Sequence, residues 1–276
     1  MLHDVRLALR SLIRSPGFFA TTVLTLALAA GANAAIFAVV HGVLLRPLPY
    51  REPDRLVAVW PSQFQSNADL LFTRARGAMF SSVASIAPGW TMALTGAGEP
   101  ARVTIGRVSG NLFETLGVEP VAGRAFTEAD ARKGRDGVIV LGHALWRTRF
   151  GSDPAAVGRT VQLDGAPYTI AAVMPRDFDV LGLESDAYTP LAIDEGAWYH
   201  SMTFSFVVAR LANGRTLDQA NRDYRALVEA LRLERKHPAD FGRTAALVDL
   251  REALVGDVHT SLLVLAGAVG LILLIA

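Results

Sequence analysis

The sequence predicts a membrane-anchored α+β domain of two lobes held between two apolar helices, and three observations predict it. Residues Phe18 to Leu45 carry no formal charge at neutral pH, and Leu262 to Ala276 contain no charged or strongly polar side chain. Between them, alternating and helical periodicities are mixed without a regular βα succession, which is an α+β pattern. Hydrophobic residues make up 51% of the 276-residue chain. That exceeds what soluble domains usually carry, so part of the apolar mass is expected to face lipid.

The N-terminus divides at Pro16-Gly17. Before it, Leu2, Val5, Leu9, Leu12 and Ile13 recur at three- and four-residue spacing while Arg6, Arg10 and Arg14 step along another face. This predicts an amphipathic helix over residues 1–16 suited to a bilayer surface. After it, residues 18–45 are long enough to span the hydrocarbon with some tilt. Asn33 and His41 are the strongly polar members of that span, and polar groups in such positions usually face protein or water. Ala27, Gly31 and Ala35 form a small-xxx-small row, a helix-packing face that lets a second helix approach closely.

A secretory signal peptide is the rival reading, because basic residues precede the apolar stretch and Ala32-Asn33-Ala34 resembles a cleavage site. The chain stays apolar for eleven more residues, through Leu45, which favours an uncleaved span. Orientation is not set by charge. Arg6, Arg10 and Arg14 on one side are matched by Arg46, Arg51 and Arg55 on the other.

Across the polar region, residues 55–61 read as a strand and residues 67–80 as a helix ending near "RARGAMF". Short strands at 91–95 and 102–108 flank "GAGEP", a hairpin connection. "GNLFETLGVEP" gives a short helix ended by Gly117. Residues 138–141 form a buried strand, followed by a helix from His143 to Phe150. In "GRTVQLDGAPYTIAAVMP" two alternating strands meet at Asp164-Gly165, a pair suited to a tight turn with positive φ. Residues 203–211 form another strand, residues 217–236 a long amphipathic helix, and "TAALVDL" a last strand. The element order suggests one lobe made from both ends of the region and one inserted between about Asn111 and Pro190. A truncated span is expected over residues 258–276.

Little in the chain carries catalytic chemistry. With 27 Lys+Arg against 26 Asp+Glu there is no broad basic field for nucleic acid. The absence of Cys excludes disulfides and thiolate chemistry. No phosphate loop of the Gly-Lys-Ser/Thr type occurs. "GAGEPA" fits a relaxed dinucleotide pattern, but Pro100 and the alternating "ARVTIGRV" predict a strand where the phosphate-binding helix would begin. The six histidines, His3, His41, His143, His200, His237 and His259, form no close-spaced ligand set. Glu128, Asp130, Asp177 and Asp179 lie near turns, where capping and solvation are the default roles. Trp60, Trp90, Trp146 and Trp198 are expected in core packing, or at a partner surface where one is exposed. Neither a catalytic residue, nor a cofactor, nor a metal is expected.

Several blocks carry a family resemblance: "LRSLIRSPGFFATTVLTLALAAGANAAIFAVVHGVLLRPLPYREPDRLV", "VSGNLFETLGVEPVAGRAF", "VIVLGHALWRTRFGSDPAAVGRTVQLDGAPYTIAAVMPRDF" and "LLVLAGAVGLILLIA". In this order they resemble the N-terminal half of the MacB/FtsX type of ABC transporter permease, over nearly the whole chain. "LLRPLPY" looks most like its duplicated orphan branch.

The resemblance implies an inner-membrane protein with a cytoplasmic N-terminus and residues 46–257 as a periplasmic or extracellular core domain. It implies a non-catalytic permease. Its partners would be a cytoplasmic ABC ATPase, a second permease half (a homodimer or an internal duplicate), membrane lipid and, in some systems, a periplasmic adaptor. ATP hydrolysis in the separate ATPase would drive periplasmic movement for efflux or partner activation. Arg6, Arg10 and Arg14 are the candidate membrane-surface or ATPase contact. The last apolar run would be the second span, broken off before its end. The alternative from another class is a two-span sensory receptor with a periplasmic ligand-binding domain; a membrane-anchored enzyme comes third.

Overall fold

The computed structural model describes residues 16–40, 48–60, 65–176, 178, 180–183, 185–192, 203–238, 241–256, 264, 267 and 270. They divide into two units, one of residues 48–254 and one made of the two chain ends.

In the unit of the chain ends, α1 runs over Pro16–Val40. Pro16 opens it where a missing N–H costs nothing. The hydroxyls of Thr21 and Thr25 donate to the carbonyls of Gly17 and Thr21, each at 2.8 Å, and so need no water. Phe19, Val23, Leu24 and Leu28 are exposed. Many α1 side chains, including those of Asn33 and residues 36–40, lie outside the described set. Among the described residues no helix is long and apolar enough to cross a membrane.

Residues 48–254 contain, in order, β1 (Leu56–Val59), β2 (Gln65–Ser66), α2 (Asn67–Arg76), β3 (Phe80–Thr95), β4 (Ala101–Val108), α3 (Leu112–Leu116), β5 (Ala122–Gly123), β6 (Val138–Leu141), α4 (His143–Phe150), β7 (Thr160–Leu163), β8 (Ala166–Val173), β9 (Ala187–Pro190), β10 (Thr203–Leu211), α5 (Leu217–Glu234) and β11 (Leu247–Asp249). The strands form one sheet in the order β11, β1, β10, β3, β4, β9, β6, β8, β5, with β2 beside β10 and β7 beside β3 and β8. The expected two lobes are not shown as separate units, since residues 48–254 form one. Of the five strands from residues 111–190, β9, β6, β8 and β5 occupy one end with β7 beside β8, and the strands drawn from the two ends of the domain occupy the other. They join where β4 pairs in parallel with β9 and where β3 pairs antiparallel with β7.

Both faces of this sheet are covered. In β1, Leu56 and Ala58 enter one apolar cluster while Val57 and Val59 enter another. The first cluster is shared along the whole sheet, since it also takes Val108, Val140 and Ala172. The opposite face is divided. One cluster lies beneath α5, and a second gathers Val103, Ile105, Ile139, Val161 and Ile170. Helix α5 covers its cluster with Ala220, Tyr224 and Val228, and the buried Leu231 continues their stripe. A capping box of Thr216 and Gln219 starts it. Burying each of the larger members contributes about 1.5–3 kcal/mol.

Most expected elements are present, and β3 is the main departure. It is a single strand of 16 residues, whereas only its last five were expected, because "SSVASIAPGW" lacks a clean alternation and carries Pro88. The pair Asp164-Gly165 has φ of 47° and 83°, as the tight turn between β7 and β8 requires. After the turn at 96–100 the chain enters β4, so no helix begins where a dinucleotide phosphate would sit.

Candidate functional site

The strands that receive and release the chain lie side by side. β1 and β11 pair antiparallel with Val57 opposite Asp249, Ala58 opposite Val248 and Val59 opposite Leu247. Antiparallel pairing puts the start of β1 and the end of β11 at one end of the pair. The arriving segment, residues 48–55, and the departing residues 250–254 therefore adjoin the same end of that pair.

A buried arginine fastens the arriving segment. Arg210, in β10, is 9% exposed. Its Nε donates to the Thr115 carbonyl at 3.0 Å, Nη1 to the Glu52 carbonyl at 3.2 Å and Nη2 to the Arg51 carbonyl at 2.6 Å. The Glu52 carboxylate lies 3.5 Å from Nη1. Arg55 adds a second tie, donating from Nη2 to the Leu211 carbonyl at 2.7 Å and from Nη1 to Glu52 Oε2 at 2.9 Å. Burial above all, and then the neighbouring Arg55 charge, pull the Arg210 pKa below the ordinary arginine value.

Backbone contacts complete the junction. The Arg51 N–H donates to the Leu116 carbonyl at 3.1 Å, and the Leu181 N–H to the Tyr50 hydroxyl at 3.3 Å. Gly117 ends α3 at φ 69°, and a Cβ there would stand 2.4 Å from Arg51 Cβ. Only glycine suits that site. Residues 50–55 are thus held by β10 on one side and by α3 of the inserted segment on the other.

A second polar knot joins the same two parts of the sheet. Arg74 at the end of α2 donates from Nε to the Val83 carbonyl and from Nη2 to Asn111 Oδ1, both at 2.9 Å, with Glu128 Oε1 at 3.4 Å from Nη1. Asn111 Nδ2 donates to the Val83 carbonyl at 3.0 Å. Burial is the larger influence and lowers the Arg74 pKa, against the attraction of Glu128. Beside it lies an open cleft of about 410 Å³ lined by Phe80, Ser82, Glu114 and Glu128 among others. Among the described residues no group of three His, Asp or Glu is placed to hold a metal.

The residues singled out in the sequence lie elsewhere. Arg6, Arg10 and Arg14 are outside the described residues. Ala27, Gly31 and Ala35 follow one face of α1, all exposed, and a Cβ on Gly31 would meet nothing within 4 Å. Trp60 is buried and donates from Nε1 to Thr244 Oγ1 at 3.1 Å. Trp146 donates to the Asp153 carbonyl at 2.9 Å, Trp90 is exposed, and Trp198 is outside the described residues. Asp130 is not a solvated turn residue. It is buried and takes two hydrogen bonds from Arg124 and two from Thr127. The junction itself escaped sequence reasoning, since nothing marks Arg210 apart from the other arginines; its place inside the β-like "FVVARL" was the available signal.

Comparisons with known proteins agree with this architecture. The model of the MacB-like periplasmic core domain matches residues 19–227. Among solved structures, the periplasmic region of MacB from Actinobacillus actinomycetemcomitans is similar with a TM-score of 0.54 at 14% identity, over 78% of this chain and 94% of that one. A domain of a protein described as a permease from Porphyromonas gingivalis gives 0.53 at 15% identity, over 72% and 92%. The extracellular domain of the noncanonical ABC-type transporter YknZ from Gram-positive bacteria gives 0.50 at 12% identity, over 70% and 99%. No curated protein matches the sequence.

Proposed function

Because the chain belongs to the family of the MacB-like periplasmic core domain, we propose that it is a non-catalytic permease subunit of an ABC-type transporter, with residues 48–254 as its extracytoplasmic domain. In this reading residues 18–45 cross the inner membrane from a cytoplasmic N-terminus, and the run after 258 crosses back. The support is physical. In the sequence, residues 18–45 include no Asp, Glu, Lys or Arg, and roughly 20 apolar residues suffice to span the hydrocarbon layer.

The pairing of β1 with β11 is the observation that carries the functional reading. A separate cytoplasmic ATPase would shift one membrane segment against the other. Because the chain enters β1 and leaves β11 at one end of that pair, such a displacement would load β1 and β11 directly. Arg210 and the Arg51 to Leu116 hydrogen bond would pass it to α3 and the inserted strands. The output would be efflux or the activation of a partner, with a second permease half completing the assembly, from another copy or from a duplicate in the same protein. Arg6, Arg10 and Arg14 remain the candidate contact with the membrane surface or the ATPase. Family membership speaks against the sensory-receptor alternative.

Thiol labelling tests the arrangement cleanly, since the chain has no Cys. Glu99→Cys, on the turn between β3 and β4, is expected to react in spheroplasts with a membrane-impermeant maleimide, and Ser11→Cys only after lysis. Labelling of Ser11→Cys in intact spheroplasts, with Glu99→Cys protected, would overturn the topology. Co-purification of an ABC ATPase with the tagged full-length protein tests the coupling.

A further inference from the structure

The chain passes from β10 into α5 through the turn Ala212-Asn213-Gly214-Arg215, closed by the Arg215 N–H on the Ala212 carbonyl at 3.2 Å. Gly214 stands third in the turn with φ 75° and Asn213 lies outside the left-handed region, which makes the turn type II. Both central residues are exposed, and a Cβ on Gly214 would meet nothing within 4 Å. The peptide unit between them takes no part in the closing bond. It can rotate, as when a type II turn becomes type I, without opening the turn.

Of the asparagines in the sequence, Asn213 alone precedes a glycine. Asparagine is thermolabile because the main-chain nitrogen of the next residue can attack its carboxamide, and glycine has no side chain to shield that nitrogen. The other asparagines of the domain are held away from such attack. Asn67 is wholly buried. Asn111 Oδ1 accepts from Arg74 Nη2 and Ser109 Oγ, both at 2.9 Å, while its Nδ2 donates to the Val83 carbonyl at 3.0 Å. Asn221 holds the N–H and the carbonyl of Leu247 at 2.7 and 2.9 Å. Asp136 and Asp164 also precede glycines, but their carboxylates accept the Gly134 and Ala93 N–H groups, at 3.1 and 2.8 Å. An ionised carboxylate is in any case a poor electrophile.

We infer that Asn213 is a site of spontaneous deamidation, and that its isoaspartyl product loosens the start of α5. The Gly214 nitrogen, having lost its proton to water or hydroxide, bonds to Asn213 Cγ, and Nδ2 leaves as ammonia. Water then opens the cyclic imide at either carbonyl. Opening at Cγ leaves aspartate. Opening at the main-chain carbonyl leaves isoaspartate, whose backbone runs through Cγ and is one carbon longer.

Both sides of the turn are anchored against that lengthening. Upstream, the Ala212 N–H donates to the Met79 carbonyl at 2.9 Å, and Arg55 Nη2 to the Leu211 carbonyl at 2.7 Å. Downstream, Thr216 and Gln219 form the capping box of α5. Aspartate changes only the charge of the turn, whereas isoaspartate must displace one of these anchors. The inference does not depend on the permease reading.

The test ages the full chain in phosphatidylcholine nanodiscs at physiological pH and temperature and follows the tryptic peptide Leu211–Arg215 by mass spectrometry. Chromatography separates its aspartyl and isoaspartyl forms, and labelling by an isoaspartyl methyltransferase confirms the latter. Deamidation is expected at least about tenfold faster at Asn213 than at Asn111 or Asn221, with isoaspartate the main product. Asn213→Gln, at an exposed position, should slow it by about tenfold or more, because a longer side chain must close a larger ring. Aged wild type should unfold at lower urea concentration than fresh Asn213→Asp, which has the charge on an ordinary backbone. Equal rates at Asn213 and Asn221 would overturn the site. So would a Leu211–Arg215 peptide that stays intact in the folded chain while it deamidates in urea. Equal urea midpoints for aged wild type and Asn213→Asp would overturn the loosening of α5.

Discussion

Two arginine networks in this domain have opposite designs. Arg210 reaches acceptors 95 to 159 residues away in sequence and binds mainly neutral carbonyls inside the protein. Arg124 reaches Asp130, six residues away, at a rim where the arginine is 60% exposed. The first holds together parts of the chain that have no local reason to meet. The second stiffens a turn that is already short. The difference teaches that the end-built half of the sheet depends on long-range closure, whereas the inserted half is assembled from local pieces such as the β7–β8 hairpin.

Engineered disulfides should separate the two designs most strongly. Ala58 and Val248 are partners across β1 and β11, and Gln162 and Pro167 across the β7–β8 hairpin. In the chain-entropy account, a bridge closing about 190 residues stabilises by up to about 5 kcal/mol, against about 2 kcal/mol for one closing a tight hairpin. Ala58→Cys/Val248→Cys is therefore expected to gain more on oxidation than Gln162→Cys/Pro167→Cys, read as the difference in unfolding temperature between oxidised and reduced protein. Equal gains would mean that β1 and β11 are already held together in the unfolded ensemble. If the permease reading holds, the oxidised Ala58→Cys/Val248→Cys form should also lose coupling to ATP hydrolysis.

Truncating Arg210 comes next. Arg210→Ala strips the donor from three carbonyls, those of Thr115, Glu52 and Arg51, in a buried setting. Each orphaned acceptor costs about 1–3 kcal/mol, so a loss of about 4 kcal/mol is expected in urea unfolding. Arg210→Lys should recover only part, because an ammonium cannot span three acceptors set in a plane. A loss under about 1 kcal/mol would show that the junction is not fastened by this side chain.

The same contrast explains which parts were legible in the sequence. The helix His143–Phe150, the strand Thr203–Leu211 and the turn at Asp164-Gly165 were readable because their signals are local: a periodicity, a glycine, a turn pair. Gly117 likewise marked the end of α3. The β1–β11 pairing could not be read, because nothing in "LVAV" or "LVD" names its partner across about 190 residues of chain, and strand pairing is set by the whole sheet. Arg210 was hidden for the same reason. The early part of β3 was missed because two-sided burial removes the alternation that identifies a half-buried strand. Trp90 was readable only as a residue to watch, since its exposure follows from a bulge whose register lies in β4.

Acid titration gives the smallest effect and the sharpest contrast. Hydrogen bonds from Arg124 first, and then from Thr127, hold the Asp130 carboxyl well below the usual carboxylate range, at about 2, against the opposing effect of burial. A folded-state pKa below the unfolded one means stability that is present above about pH 4 and lost as pH falls through about 2. In a dry interior so low a carboxyl pKa would correspond to roughly 2–3 kcal/mol, but solvent at the exposed Arg124 screens the pair, and about 1 kcal/mol is the expected size. Asp130→Asn should therefore lower stability by about 1 kcal/mol at neutral pH and flatten the fall between about pH 4 and pH 2. Arg210→Ala should instead lower the whole curve and change its slope there far less, because the three closest acceptors of Arg210 are backbone carbonyls, which do not titrate. Parallel curves for wild type and Asp130→Asn would show that the Arg124 pair adds nothing in water, and that the inserted half, too, relies on its apolar contacts.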